Sequence, residues 1–331
     1  MQKPDTKNLS IRPIWPFLGL LVVSISGCLS VYLFDGNELK NTFGLLEQRF
    51  TWLTNVIHEK GKFSLVFLIT IPIVFAAEKT IPAKSGQRIF SSSLAQDCLW
   101  YFIVRTFQLT VLTSYVFLLE SFYEKHLTFM SVRWLDELPE MARLLWGVLL
   151  IDFLNWFHHW VRHKVWWLWQ FHVIHHSQRN LNLFTDFRYH VLEYIVAETL
   201  KIIPLLSLGV EATYIVYVRM FERFLTATYH ANIKTDLGPL RYVLVTPQSH
   251  RIHHSIEPHH QDKNFGVLLS IWDRLFGTQY AGYEEYPDTG VKDRNFPEDE
   301  SKFGRNLFVS PFLQHIYPFR VLAKSIGRTK T

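Results

Sequence analysis

The hydrophobic pattern divides the chain into apolar stretches of very different purity. Trp15 to Phe34 is twenty residues without a formal charge, and about 20 apolar residues is what a helix needs to cross a bilayer core. Lys3, Lys7 and Arg12 precede it, as they would in a secretory signal, but the run exceeds the roughly 7–15 residues of a signal core, so a spanning helix is expected. Phe63 to Ala77, broken by Pro72, and Cys98 to Leu119, interrupted by Arg105, are the next two candidate spans. A fourth begins at Leu144 and runs through Asp152 and Trp156 into a run of histidines. Val191 to Gly209 and Ala212 to Thr228 carry Glu193, Glu198, Lys201, Arg219, Glu222 and Arg223. That much charge does not suit lipid-facing spans, so they read as a buried or interfacial hairpin.

From His230 onward the pattern is mostly polar, and Tyr283 to Arg305 is rich in Asp, Glu, Pro and Gly. The expected architecture is all-α: a multi-pass transmembrane bundle of about four spanning helices under a cytoplasmic helical cap. Three regions follow: an amino-terminal transmembrane part over 1–140, a histidine-rich domain over 141–280 and a polar, loop-like tail over 281–331. The amino terminus sets three Lys/Arg against one acid, whereas Glu120 to Arg143 carries five acids against three bases. This asymmetry places the amino terminus and the histidines on the cytoplasmic face.

Composition sharpens the picture in three places. Of 331 residues 48% are hydrophobic and only 19% charged, below the soluble norm of about 25%, which favours an embedded body. The net charge of +5 comes from 34 basic and 29 acidic residues spread along the chain, too diffuse for a nucleic-acid partner. The two cysteines, Cys28 and Cys98, both lie in apolar runs, which excludes a disulfide framework and a thiolate site. Any metal must be held by histidine or carboxylate.

Eight of the sixteen histidines fall into three clusters: His159 and His163; His172, His175 and His176; His250, His253 and His254. On a helix, i, i+3 and i+4 share a face, so H-x3-H presents two imidazoles to one point and H-x2-H-H presents three. So many buried imidazoles would strand polar nitrogens unless a metal took them up. Eight ligands exceed what one tetrahedral ion takes, so two ions are expected. His158 points about 100° away from His159 and is left out. His58, His126 and His315 read as structural or exposed, and His259 and His260 as solvent-facing in a loop. Asp152 lies two turns before His159 and is a candidate to fix a ligand's tautomer. His190 with Glu193, and His230 with Glu222, could complete the coordination.

With these residues in hand, the chain resembles the fatty acid hydroxylase and sterol desaturase superfamily of integral membrane oxygenases. The stretches that carry the resemblance are DFLNWFHHWVRHKVWWLWQFHVIHHS from Asp152, RYHVLE from Arg188, HANI from His230 and TPQSHRIHHSIEPHHQDKNFGVLLSIWDRLFGT from Thr246. The resemblance implies a four-helix membrane body and a cytoplasmic cap holding two metals, usually iron. It implies O2 and electrons from a small redox protein, used to hydroxylate or desaturate a lipid. Carried over by residue, it makes His159, His163, His172, His175, His176, His250, His253 and His254 the ligands, with His190 and His230 as further ones. Two positions depart from the family pattern: Trp160 stands where Arg is common, and Val191 where Pro is common.

Breaking an unactivated C–H bond needs an oxidant that no side chain supplies. The chain shows no flavin, haem or nicotinamide signature, so electrons are expected from outside. The leading expectation is a di-iron lipid hydroxylase acting on a fatty acyl or sterol-like substrate. Three readings stand beside it: a desaturase with the same site, a zinc-dependent membrane hydrolase or lyase, and a non-catalytic metal-binding membrane protein.

Overall fold

The computed structural model describes residues 70–132, 137–210, 222, 225–226, 228–293, 295–297 and 305–328. The expected span Trp15–Phe34, residues 63–69 and most of 212–228 lie outside this range. Among the described residues there are helices and three isolated β-bridges but no strand, as the all-α expectation holds.

Helix α1 covers 70–80. Helix α2 (Ser92–Phe107) opens on Ser91, whose hydroxyl accepts the Leu94 amide, satisfying one of the orphan donors of a first turn. A π-helical turn over Gln108–Leu112 joins α2 to α3 (Thr113–His126). Then follow α4 (Glu140–Lys164), α5 (Trp166–His176), α6 (Val191–Ser207), a short α7 (Pro247–His253), α8 (Ile271–Leu275) and α9 (Arg305–Arg328).

Three apolar clusters lock the long helices together. Leu112, Tyr115 and Leu119 pack on Ile202 and join α3 to α6. Ile151 and Leu154 pack on Leu205 and Val210 and join α4 to the end of α6. Trp100, Val173, Ile174 and Tyr317 join α2, α5 and α9. Each fully buried large side chain here contributes roughly 1.5–3 kcal/mol. Between α5 and α6 the loop is fixed by a buried carboxylate. Asp97 Oδ1 accepts from Arg188 at 3.0 Å, and Oδ2 accepts from Gln178, Asn182 and Thr185 at 2.7–2.9 Å. An unpaired charge would be costly there, and this set leaves the carboxylate fully engaged.

One expectation changes. Residues 305–328 are not part of a loop-like tail but a helix, packed against α2 and α5. Its buried positions are Ser310, Pro311, Gln314, Tyr317 and Pro318. These recur at helical spacing, but polar and proline residues occupy them, so hydropathy conceals the stripe. In α6, Glu193, Glu198 and Lys201 are buried, with Lys201 3.4 Å from Glu198, as expected of a buried element. Among the described residues no helix is long and apolar enough to cross a membrane. Along the outward side of α4, however, Met141, Leu145, Leu149 and Phe157 are 37–66% exposed, an apolar ridge at i+4 spacing turned away from the core.

Candidate metal centre

Three helices deliver their carboxyl-terminal turns to one point. Helix α4 ends on His163 and Lys164, α5 on His175 and His176, and α7 on His250 and His253, with His254 as its cap. A helix terminus of this polarity carries partial negative charge and favours a cation. The shortest of the three, α7, is secured by a capping box. Thr246 Oγ1 accepts the Ser249 amide and Ser249 Oγ accepts the Thr246 amide, both at 3.0 Å, and Pro247 follows the cap.

The imidazoles form two groups, each with ligand atoms within 4.8 Å of one another: His159, His163, His172, His176 and His253 in one, and His175, His230, His250 and His254 in the other. The spacing argument expected H-x2-H-H to send three rings to one point. Instead, each doublet is divided. His175 and His254 join one group, and His176 and His253 the other, because successive helical residues diverge by about 100°.

In the five-imidazole group three of the far nitrogens are anchored. His159 Nδ1–H donates to the Phe265 carbonyl at 2.9 Å, His253 Nδ1–H to the Lys263 carbonyl at 2.8 Å, and His172 Nδ1–H to Glu193 Oε2 at 2.7 Å. These bonds fix the tautomer and leave Nε2 as a lone-pair donor. The Nε2 atoms of His159, His163, His172, His176 and His253 are buried without a hydrogen-bond partner.

In the four-imidazole group, His230 Nδ1–H donates to the Thr226 carbonyl at 2.8 Å, so its Nε2 carries a lone pair. That atom lies 2.9 Å from His250 Nε2 and 3.3 Å from His175 Nε2, while His254 Nε2 is 3.2 Å from His250 Nε2. A tetrahedral ion with zinc-like bond lengths spaces its ligand atoms about 3.3 Å apart. These three separations match the edges of a coordination polyhedron with the nitrogens at its corners. Burial first, then neighbouring imidazoles and Arg162, hold His172, His175, His176, His250 and His254 well below the ordinary histidine range. They stay neutral, the state a metal requires. Both groups fit a bound transition ion, the first through buried lone pairs without a partner and the second through Nε2 atoms held at ligand-to-ligand spacing.

The remaining candidates sort differently. Glu193 lies beside His172, one of the converging rings, accepting from it and from Arg162 at 2.9 Å. Burial pushes its carboxyl up to about 7, with Arg162 opposing. His190 is not among the converging rings. Its Nδ1 accepts the Leu192 amide and its Nε2–H donates to the His315 carbonyl. It caps α6, so both nitrogens are engaged. Asp152 holds no imidazole; it accepts from the Leu268 and Leu269 amides and from Trp272 Nε1 at 2.8–3.1 Å. With Asp273, which accepts from the Phe265 and Gly266 amides and Trp156 Nε1, it ties 265–273 to α4. It thereby positions the carbonyl that orients His159. Glu222 accepts from Asn155 at 2.8 Å and is not in either group. His158 stays outside both groups. His259 is exposed as expected, but His260 is buried against Ser255 and Glu285.

Sequence reasoning missed Arg162 and Tyr189. Arg162 follows His159 by three residues and lies over the Tyr189 ring, 5.5 Å from its centre. Tyr189 stacks on His175 at 4.2 Å and 12°, with its hydroxyl 3.2 Å from His175 Nε2. Helical spacing from His159 could have signalled Arg162; nothing in the pattern signals Tyr189.

Residues 144–278 match the fatty acid hydroxylase family model. Among curated proteins, the chain is 26% identical over 219 residues to ornithine lipid hydroxylase of Rhizobium tropici, covering 65% of this chain and 66% of that one. It is 32% identical over 176 residues to human alkylglycerol monooxygenase, covering 53% of this chain and 37% of that one. It is 28% identical over 184 residues to a very-long-chain aldehyde decarbonylase of Oryza sativa, covering 46% and 29%. The chain thus spans less than two thirds of these relatives' own lengths. No solved structure matches it.

Proposed function

We propose that this chain, which belongs through residues 144–278 to the fatty acid hydroxylase and sterol desaturase superfamily, is an oxidoreductase that hydroxylates a lipid at a di-iron centre. The overall reaction joins the lipid C–H, O2, two electrons and two protons to give the alcohol and water. The observation that carries it is the pair of imidazole groups: five rings whose inward Nε2 atoms are buried without a hydrogen-bond partner, and four more whose Nε2 atoms crowd one another at 2.9–3.3 Å. The lipid substrate class follows from two relatives whose names state lipid hydroxylation and alkylglycerol oxidation.

Iron held there would supply the O2-reducing chemistry that side chains lack. The chain's own residues do the rest. Glu193 and the Phe265 and Lys263 carbonyls hold the ring orientation of His172, His159 and His253. Arg162 keeps a positive charge against Glu193. Tyr189 sets a phenol hydroxyl at the edge of the four-imidazole group, where it can donate a hydrogen bond. Burial of the imidazoles keeps bulk water away from the ring nitrogens.

We read the segments Trp15–Phe34, Phe63–Ala77, Cys98–Leu119 and the start of α4 as the membrane body, with the imidazoles on the cytoplasmic side and a small redox protein delivering electrons there. The outward apolar ridge of α4 supports this, since such a ridge in water would be an aggregation liability. Lipid extracts from cells with and without the gene, grown under ¹⁸O2, test the proposal. A lipid gaining one labelled oxygen is expected. An unlabelled alkene would move the reading to a desaturase, and turnover without O2 and reductant would sink oxygenase chemistry altogether.

A further inference from the structure

We propose a third metal site, for a divalent transition cation of the zinc class, built from His259, His260 and Glu285. It is separate from the two imidazole groups and does not depend on what they catalyse.

The geometry is that of a half-assembled tetrahedron. Glu285 Oε2 lies 3.1 Å from His260 Nε2 and 3.7 Å from His259 Nε2, and the two rings are 4.0 Å apart between centres. These separations bracket the edge of about 3.3 Å expected for zinc-like bond lengths. One ion could touch all three atoms and keep a fourth position for water.

The atoms pointing away are tethered. His260 Nδ1 lies 2.8 Å from Ser255 Oγ, and Glu285 Oε1 accepts the Tyr280 hydroxyl at 2.7 Å. Outer contacts of this kind orient ligands in metal sites. Ser255 Oγ also accepts the Glu257 amide at 3.0 Å. In the tautomer with Nδ1–H donating to the same oxygen, His260 Nε2 carries its lone pair beside the Glu285 carboxylate, the state in which both can take one cation. Gly282 makes the arrangement possible: a Cβ there would lie 2.2 Å from Glu285 Oε1 and 2.5 Å from the Tyr280 ring.

The site has a consequence for the centre beside it. The segment holding His259 and His260 continues into Lys263, whose carbonyl receives His253 Nδ1–H, and Asn264 accepts the Tyr280 amide at 2.8 Å. An ion at the third site would join both strands of this loop and stiffen the support of His253.

The test is metal stoichiometry on the purified full chain, dialysed against buffered Zn²⁺ and read by mass spectrometry. The wild type is expected to bind one equivalent more than H259A or E285Q, while H126A, at an exposed histidine on α3, matches the wild type. A Co²⁺-loaded wild type minus H259A should show visible tetrahedral bands. His259 is 58% exposed, so its loss leaves the fold intact. H250A reports separately on the four-imidazole group by its own lost equivalent. Equal zinc content and identical cobalt spectra in wild type, H259A and E285Q would overturn the site; that result would mean His260 and Glu285 share only a hydrogen bond and His259 is idle.

Discussion

The two imidazole groups differ less in what they offer an ion than in what stands behind them. In the five-membered group three rings are fastened from the rear, by the Phe265 and Lys263 carbonyls and by Glu193. In the four-membered group only His230 has such an anchor, in the Thr226 carbonyl, while Nδ1 of His175, His250 and His254 is buried without a partner. One group is preorganised by its surroundings. The other depends more on the ion itself and has a phenol at its edge. Rear support raises ligand basicity and holds geometry, so the five-membered group should bind more tightly and exchange more slowly.

The largest effects come from deleting rings. His253→Ala and His250→Ala should each remove one metal equivalent, from different groups, and reduce lipid hydroxylation by at least about 10³-fold, a loss of about 4 kcal/mol or more. Elemental analysis beside product assay checks this; loss of both ions from either variant would mean the groups are one cooperative site. In the wild type, graded chelation should strip the four-membered group first, in two resolved phases. A single phase would break the contrast.

Glu193→Gln comes next. It keeps the shape but weakens the bonds to His172 and Arg162, and a loss of about 10–100-fold in metal affinity is expected. That loss should be confined to the five-membered group, seen as convergence of the two chelation phases.

Acid should act through His190. Burial lowers it to about 3, beneath the unfolded value of about 6.5. Between those limits the unfolded chain binds the proton and the folded chain does not, so this contribution to stability is intact above about pH 6.5 and is lost as pH falls toward 3. Because His190 caps the helix that carries Glu193, opening of that helix start should grow easier as pH falls from 6.5, and the cap itself should be lost only near pH 3. His190→Asn, which retains a cap, should flatten the pH dependence of thermal unfolding between pH 6.5 and 4; an unchanged slope would refute the assignment.

The smallest effect is at Tyr189. Tyr189→Phe keeps the ring stacked on His175 and deletes the hydroxyl, so metal content should hold while turnover falls by a few fold, about 1 kcal/mol. A fall in metal content would make the phenol a ligand.

The ring inventory was legible because helical periodicity makes histidines at i, i+3 and i+4 visible as units. Which ring joins which partner was not, since spacing along one helix says nothing about where the facing helices cut across it; His175 and His176 separate for that reason. Asp152 shares a stripe with His159, yet its carboxylate serves amides brought from residues 268 and 269, a contact more than a hundred residues away in sequence. His260 and the 305–328 helix were misread for a related cause. Their burial is created by Glu285, Tyr280, α2 and α5, and a local polar count cannot register such partners. Glu193 was legible because it stands three residues after His190, at a helix start.

The divided doublets act as a ruler. Each of His175–His176 and His253–His254 is one peptide unit reaching into both groups, and neighbouring Cα atoms are held about 3.8 Å apart by covalent geometry. Two such units, on different helices, would keep the ions at a set separation without a bridging carboxylate. A single inserted residue in either doublet would turn one ring by about 100° and empty one group, so the spacing tolerates substitution around it far better than any change of length.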